Sequence, residues 1–305
     1  MAISPEQTRS ATNDIQWRYP NAIVECDWLK DQIGNSSSRI YDCTTYLYYT
    51  DDHPSKPYDV GSGLAKYSES HIPQSAYLDL QNDLSDADSP YSFTLPNLSH
   101  LANCFKHQGI GDPYHIILYS RNGMQWATRV WWMLHVLGYK NVSILNGGFA
   151  EWQRLGLPTE QVATRFPAAH FKSEEKPEVF VGKDRVLACI DDATTVLLNA
   201  LTADIHLGGS TRYGRPGHIT NSLNIPFHTL VDPDSGKLIS PKDALQIFKD
   251  HNISPDLNII NYCGGGIAAT LDAFVLYQLG FPKLFIYDNS LSEWAMDPDL
   301  PMVSG

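Results

Sequence analysis

The sequence contains few cysteines, and their arrangement argues against two common uses of that residue. The five cysteines of the 305-residue chain are scattered, odd in number and never spaced as CxxC. This pattern favours neither a disulfide framework nor a zinc site, and it fits a reducing compartment. The eleven histidines form no HxxxH or HExxH pattern either. We therefore expect no metal and no cofactor, and we assign Cys26, Cys43, Cys104 and Cys189 to the core.

Positive charge and long apolar runs are also scarce. The formal net charge is −12, and like charges form no block. Nucleic acids and anionic membranes attract basic surfaces, so we expect neither as a partner. No apolar stretch approaches the length of a membrane span, and residues 1–7 lack the apolar region of a secretory signal. These absences predict a cytoplasmic protein.

The chain does contain a strand, a cysteine, three glycines and a helix in immediate succession. Residues 259–262 are an apolar, strand-like run, Cys263 ends it, and residues 270–279 have a helical composition. A glycine run can curl into a cup of backbone N–H donors, and the positive end of the following helix points to the same place. Such a cup favours the thiolate of Cys263, which is the form that a sulfur nucleophile needs. The alternative is a buried structural cysteine beside a tight turn, which is the usual state of a lone cysteine.

Apolar β-branched runs alternate with helical segments along the chain. Residues 39–43, 115–119 and 142–145 predict strands, and residues 98–107 and 126–137 predict helices. This alternation indicates βαβ crossovers and thus an α/β fold in which helices flank a parallel sheet. Residues 50–67, with their Pro, Gly and Asp, indicate a long loop. The proline-containing segment 158–182 is predicted to link a domain at 1–157 to a second domain at 183–305.

Landmarks of the first half return in the second at offsets of 142 to 147 residues, which indicates duplication of a whole domain. In this alignment Cys263 falls on Ser120, so the second half is predicted to be catalytic and the first to supply core, interface and one wall of a cleft. Histidines shared by both halves are predicted to be structural. The repeated pairs are His71 with His218, Gly138 with Gly280, and Trp152 with Trp294.

The duplicated unit resembles the tandem-domain rhodaneses, the thiosulfate and 3-mercaptopyruvate sulfurtransferases. The resemblance runs from about residue 22 to the C-terminus and implies two tandem rhodanese-like domains, each a parallel sheet flanked by helices. It implies that Cys263 accepts a sulfane sulfur from a small donor, becomes a persulfide, and passes the sulfur to a thiol or cyanide-type acceptor. It further implies that backbone N–H groups cradle the persulfide, namely those of Gly264, Gly265, Gly266, Ile267, Ala268 and Ala269. The matching segments are 71–73, 127–132, 145–149 with Trp152, 217–219 and 263–268.

The chain departs from the family pattern where the donor binds. Leu201 stands where family members carry an arginine that helps to bind the anionic donor. The cysteine loop lacks the Arg-Lys pair of thiosulfate-preferring members, and Gly265 replaces the serine of mercaptopyruvate-preferring ones. Arg212 and Arg215 are candidates to supply the missing charge, although arginines in such loops are most often solvated. The donor therefore stays open between the thiosulfate and 3-mercaptopyruvate classes.

Two other functions remain for comparison with sulfur transfer. A Cys-x5-Arg phosphatase is disfavoured because the sixth residue after Cys263 is Ala269, so no guanidinium is available to hold phosphoryl oxygens. A catalytically weak rhodanese-fold binding or scaffold protein is the alternative that the loss of arginine at Leu201 suggests. The retained cysteine and its glycines favour the enzyme.

Overall fold

Two parallel five-stranded sheets form the framework of the computed structural model, which describes residues 15–49 and 57–305. The strands and helices of the first half are β1 (Ile23–Val24), α1 (Cys26–Gln32), β2 (Ser38–Asp42), β3 (Thr45–Tyr49), β4 (Tyr58–Ser62), α2 (Leu64–Glu69), β5 (Ser75–Tyr77), α3 (Leu80–Asp83), α4 (Leu98–His107), β6 (His115–Tyr119), α5 (Gln125–Val136), β7 (Val142–Leu145) and α6 (Gly148–Arg154). Those of the second half are β8 (Phe180–Val181), α7 (Lys183–Cys189), β9 (Thr195–Asn199), α8 (Ala203–His206), β10 (His218–Ile219), β11 (Leu223–Asn224), α9 (Pro241–Asp250), β12 (Asn258–Tyr262), α10 (Ala268–Gln278), β13 (Leu284–Tyr287), α11 (Ser290–Trp294) and β14 (Met302–Val303).

The two sheets have the same strand order, which confirms the predicted tandem α/β fold. The first runs β1-β7-β6-β2-β5 and the second β8-β13-β12-β9-β11, with all neighbours parallel. Equivalent tyrosines make equivalent bonds: the Tyr119 hydroxyl lies 2.9 Å from Ser75 Oγ, and the Tyr262 hydroxyl lies 2.6 Å from Ser222 Oγ. The duplication is thus preserved in buried hydrogen bonds as well as in topology.

The two recurring histidines bond to backbone carbonyls of short helices, His71 to α2 and His218 to α8. His71 Nδ1 donates to the carbonyl of Tyr67 at 2.7 Å, and His218 Nδ1 donates to that of His206 at 2.7 Å. Each imidazole also stacks on the ring of the residue to which it is bonded, with centroids 3.9 Å and 3.6 Å apart.

A hairpin replaces much of the loop predicted at residues 50–67. Among the described residues, strands β3 and β4 form a two-stranded sheet of their own, with Tyr49 opposite Tyr58, and α2 follows them. Residues 50–56 of the predicted loop lie outside the described residues, as do residues 1–7. The loop prediction was wrong for residues 58–62, which form β4, and for residues 64–67, which belong to α2. The strand escaped notice because strand propensity depends on cross-strand partners that a local pattern does not contain.

Helices α5 and α10 pack against each other where the two halves meet. Ten of the eleven residues of α10 are buried, as expected of a helix that is apolar all round. Thr128 Oγ1 lies 2.7 Å from Thr270 Oγ1, and Trp132 Nε1 donates to the carbonyl of Thr270 at 3.0 Å. The ring of Trp131 packs on that of Phe274 with centroids 5.0 Å apart, so both Trp131 and Trp132 contribute to the domain interface.

The segment that connects the two halves pairs with residues of the first half. Glu160 forms an isolated bridge with His71, and His170 forms another with Asp112. The predicted boundary at 158–182 stays a prediction. No helix in the described ranges combines the length and apolar character that crossing a membrane requires. The cytoplasmic location also stays a prediction.

Candidate active site

Cys263 directly follows β12, the strand that lies between β9 and β13 at the centre of the second sheet. Ligands of parallel α/β sheets bind at this carboxyl end of the strands. The residue is only 2% exposed. Its backbone N–H donates to Ser290 Oγ at 3.0 Å, and its carbonyl accepts from the N–H of Leu291 at 3.1 Å. The cysteine backbone is therefore fixed by the start of α11.

Each of the three glycines after Cys263 is required by its surroundings. A Cβ on Gly264 would collide with the ring and hydroxyl of Tyr213, and one on Gly265 with the hydroxyl of Tyr58. Gly266 has a φ of +69°, and a Cβ there would collide with the carbonyl oxygen of Asp288. Glycine alone fits because neighbouring groups approach the bare backbone and the last residue is left-handed.

The loop turns its carbonyls toward the protein and leaves its amides without protein acceptors. The Gly264 carbonyl accepts from Ser292 twice, from N–H at 2.8 Å and from Oγ at 2.7 Å. The Gly266 carbonyl accepts from Arg129 Nη1 at 3.1 Å. Within residues 15–49 and 57–305, no acceptor receives a hydrogen bond from the backbone N–H groups of residues 264–269. Buried amides are rarely left unpaired, so this cup beside the sulfur suits an anion.

Arg129 brings a cation to the cysteine loop from the first domain, which has Ser120 at the position equivalent to Cys263. The residue lies on α5 and is completely buried. Besides Gly266, its guanidinium bonds Asp288 Oδ1 at 2.6 Å and the carbonyl of Phe93. The sequence analysis did not single out Arg129 as a site residue. The available signal was an arginine in a helical stretch of apolar residues, since a charge in such a stretch needs buried partners.

Three tyrosines that the sequence analysis missed surround the cysteine. Tyr58 and Tyr213 are 4% and 6% exposed, whereas Tyr49 is 50% exposed. Burial raises the pKa of both buried phenols, and the negative charge of Cys263 adds to the rise. Tyr58 and Tyr213 therefore remain protonated at neutral pH and can donate hydrogen bonds.

A cleft of about 680 Å³ lies beside the glycine loop and shares Tyr213 with it. Leu201, which is 8% exposed, lines this cleft together with Phe227. Arg212 lines it too, with its guanidinium carbon 3.8 Å from the centre of the Tyr49 ring. The structure thus brings Leu201, the residue that replaces the family arginine, and Arg212 into one cleft next to the cysteine loop.

Arg215 lies in a different environment from Arg212. Its guanidinium donates to the carbonyl of Leu300 at 2.8 Å, to that of Trp294 at 3.1 Å and to that of Ala295 at 3.3 Å, and it also bonds the carbonyl of Asp297. These bonds connect the loop that contains Arg215 to the backbone of residues 294–300. A role of Arg215 in donor binding stays a prediction.

The equivalent loop of the first domain is filled by its own side chains. Ser120 Oγ donates to the carbonyl of Gly123 at 2.6 Å, and the N–H of Arg121 donates to Thr44 Oγ1 at 3.0 Å. The Arg121 guanidinium carbon lies 3.8 Å from the centre of the Phe149 ring. In the first domain, these contacts fill the space beside the loop and pair the backbone N–H of Arg121. The equivalent amides of the second domain have no acceptor among the described residues.

The other four cysteines have surroundings that suit structural residues. Cys26, Cys43 and Cys189 are buried, and Cys104 is partly exposed. Burial and nearby carboxylates raise the pKa of Cys26 to about 12, and burial also raises that of Cys43. In the described part of the chain, no three His, Cys, Asp or Glu side chains come together as a possible metal site.

Comparisons with known proteins match both halves. The rhodanese-like domain matches residues 25–155 and 199–297. The chain is 32% identical over 284 residues to the 3-mercaptopyruvate sulfurtransferase of Escherichia coli (strain K12), covering 92% of this chain and 97% of the relative. It is 29% identical over 283 residues to the thiosulfate sulfurtransferase of Rattus norvegicus, covering 90% of this chain and 91% of the relative.

Solved structures agree with these sequence matches. SseA from Escherichia coli, a 3-mercaptopyruvate sulfotransferase of rhodanese fold, superposes with a TM-score of 0.73 at 29% identity. The match covers 88% of this chain and 98% of that chain. The Tum1 protein from Saccharomyces cerevisiae superposes with a TM-score of 0.75 at 18% identity over 92% of this chain and 97% of that chain, which supports the fold alone.

Proposed function

Since the chain belongs to the rhodanese-like family and is a sulfurtransferase, we propose that it moves a sulfane sulfur through a persulfide on Cys263. The supporting observation is the cup of backbone amides at residues 264–269, none of which has an acceptor among the described residues. Preorganised N–H donors stabilise negative charge best where water is excluded, and Cys263 is 2% exposed. The attacking thiolate and the persulfide are both anions of the kind that this cup suits.

The transfer proceeds in two displacements at sulfur. The Cys263 thiolate attacks the sulfane sulfur of the donor, and a new Sγ–S bond forms. The bond between that sulfur and the rest of the donor breaks, and its electron pair leaves with sulfite or with the enolate of pyruvate, which takes up a proton. An acceptor thiolate or cyanide then attacks the outer sulfur, and the electron pair of the Sγ–S bond returns to Cys263. The two steps balance without an external oxidant.

The donor that this site favours is small and anionic, of the thiosulfate or 3-mercaptopyruvate class. Arg212 lines the neighbouring cleft and supplies positive charge there, which the carboxylate of Asp204 in the same cleft partly offsets, while the amides of the loop hold the transferred sulfur. Leu201 contributes an apolar wall in place of a second cation. This combination favours a donor with less charge to neutralise than thiosulfate.

Intact-protein mass measured after incubation with a donor panel tests the proposal. The panel contains thiosulfate, 3-mercaptopyruvate, a thiosulfonate and glutathione persulfide. We expect a gain of one sulfur that cyanide or a thiol removes, and no gain in Cys263→Ser. Cys104→Ser is the matched control, because Cys104 is the cysteine that is only partly buried. If no donor adds sulfur, the chain acts instead as a catalytically weak rhodanese-fold binding or scaffold protein.

A further inference from the structure

Tyr58 crosses from the first domain to the cysteine loop of the second. It is the first residue of β4, and the hairpin that β4 forms with β3 places its side chain against Gly265. Its ring stacks on that of Phe93, with centroids 6.2 Å apart, and makes an edge-to-face contact with that of Tyr49, with centroids 6.0 Å apart. The side chain is buried and contacts both rings, so its hydroxyl has a defined position in the site.

That hydroxyl occupies the space of a side chain at position 265. A Cβ built on Gly265 would collide with the Tyr58 oxygen, but the next nearest atoms, Tyr58 Cζ and Ser292 Oγ, would be 3.6 Å and 3.8 Å away. These two distances are ordinary van der Waals contacts. One oxygen atom therefore accounts for the absence of any side chain at this point of the loop.

Ser292 of the second domain fixes the peptide that precedes Gly265. Its Oγ donates to the Gly264 carbonyl at 2.7 Å, and its backbone N–H donates to the same carbonyl at 2.8 Å. A trans peptide holds its C=O and N–H in one plane and in opposite directions. Fixing the Gly264 carbonyl toward Ser292 therefore aims the N–H of Gly265 away from Ser292, into the cup.

We propose that Tyr58 is a positioning residue for sulfur transfer. Its hydroxyl packs against Gly265, on the peptide whose carbonyl Ser292 holds, and so keeps the Gly265 amide presented to the sulfur on Cys263; it also keeps position 265 free of a side chain. The inference rests on the proposed function. It assigns to the domain without a nucleophile a direct part in arranging the catalytic loop.

Two substitutions and their combination test the proposal. Tyr58→Phe removes only the oxygen, Gly265→Ala adds only a Cβ, and the double variant combines them. Tyr48→Phe is the matched control, because Tyr48 lies on the same hairpin and is 61% exposed. Melting temperature, kcat and KM are measured for each variant with the donor that loads sulfur best on the unmodified protein.

Gly265→Ala is expected to lower kcat/KM by about tenfold or more and to lower Tm, because the added methyl overpacks the loop. Adding Tyr58→Phe should abolish most of that Tm loss, since the nearest remaining atom is 3.6 Å away. Tyr58→Phe alone should lower kcat by about fivefold with KM within about twofold, because a fixed amide acts on the charge that develops during transfer. Tyr48→Phe should change neither constant.

The possible failures can be told apart. If the unmodified protein gains no sulfur from any donor, the proposed function falls and this inference falls with it. If the unmodified protein does gain sulfur but Tyr58→Phe keeps full kcat, the positioning role alone is overturned. A Tm loss from Gly265→Ala that is equally large with and without Tyr58→Phe would overturn the assignment of that space to the hydroxyl.

Discussion

The guanidinium of Arg129 and the carboxylate of Asp288 lie 2.6 Å apart across the interface between the two domains. The Arg129 side chain is completely buried, and that of Asp288 is 13% exposed. Asp288 directly follows β13, next to the strand that leads to Cys263, and the same guanidinium holds the Gly266 carbonyl. One buried cation of the first domain therefore connects the glycine loop to the adjacent strand end of the second.

Replacing Arg129 should destabilise the protein strongly. Arg129→Gln leaves Asp288 without its cationic partner and removes a donor from Gly266, and breaking a buried pair in this way costs about 3–5 kcal/mol. Denaturant unfolding of Arg129→Gln, Asp288→Asn and the double variant measures the coupling. The control is Lys66→Ala, which breaks the exposed pair with Glu69 and should destabilise the protein far less, because exposed ion pairs are screened by solvent. A cost below that of the control would contradict the structural role of Arg129.

Cys263 should be the one cysteine whose replacement by serine abolishes sulfur transfer. Serine is nearly isosteric but is a poor nucleophile at neutral pH without a base. The fold should survive, because the backbone bonds to Ser290 and Leu291 do not involve the sulfur. Steady-state transfer activity and far-UV circular dichroism check the two parts. Appreciable activity in Cys263→Ser, beside a fully active Cys104→Ser control, would refute the assignment of the nucleophile.

Thiosulfate should be a weak donor because Leu201 replaces a cation. A helix terminus contributes about 0.3–2 kcal/mol to anion binding, whereas a lost charge-assisted hydrogen bond costs about 1.5–3 kcal/mol. The second effect is larger, so KM for thiosulfate should be higher by about an order of magnitude or more than in relatives with arginine at this position.

Leu201→Arg should lower KM for thiosulfate more than it raises kcat, because the added charge acts mainly on ground-state binding. Leu201→Met, which adds no charge, is the matched control and should leave KM nearly unchanged. A low KM in the unmodified protein that persists in Arg212→Ala and Arg215→Ala would show this electrostatic interpretation of the cleft to be mistaken.

Stability should decrease on mild acidification, in part through His135. Its ring stacks on Trp131, and burial together with the charge of Lys176 lowers its pKa to about 4. The unfolded histidine has a pKa of about 6.5, so between these two pH values the unfolded state binds more protons. The stabilisation is complete above pH ~6.5 and is lost as the pH falls toward 4. Melting temperatures between about pH 7 and pH 5 should therefore fall less in His135→Phe than in the unmodified protein.

His107→Gln is the control for that experiment, since His107 is exposed on α4. It should show the same pH dependence as the unmodified protein. If His135→Phe also shows that full dependence, titration of His135 is not among its causes.

Local patterns predicted the candidate nucleophile and its cup, and they predicted the architecture that the structure has. An apolar strand, a cysteine, three glycines and a helix are consecutive in the chain, so residues 258–278 fold as the sequence alone predicts. The alternation of strands and helices predicts parallel sheets, and the spaced landmarks predict the duplication. Both signals are regular spacings along the sequence, so they can be recognised without the structure. The sequence also indicated which half keeps the nucleophile, since Ser120 and Cys263 occupy equivalent positions.

The tertiary structure alone decided which distant side chains complete the site. Tyr58, Arg129 and Tyr213 reach the glycine loop from positions about 50 to 210 residues away in the chain. Such contacts depend on how two domains pack and on how a hairpin projects, and no local periodicity encodes either. The same holds for the two arginines of one connection: Arg212 lines the cleft, whereas Arg215 bonds backbone carbonyls at residues 294–300. Composition gives both residues the same charge, and only packing against the rest of the chain gives them different surroundings.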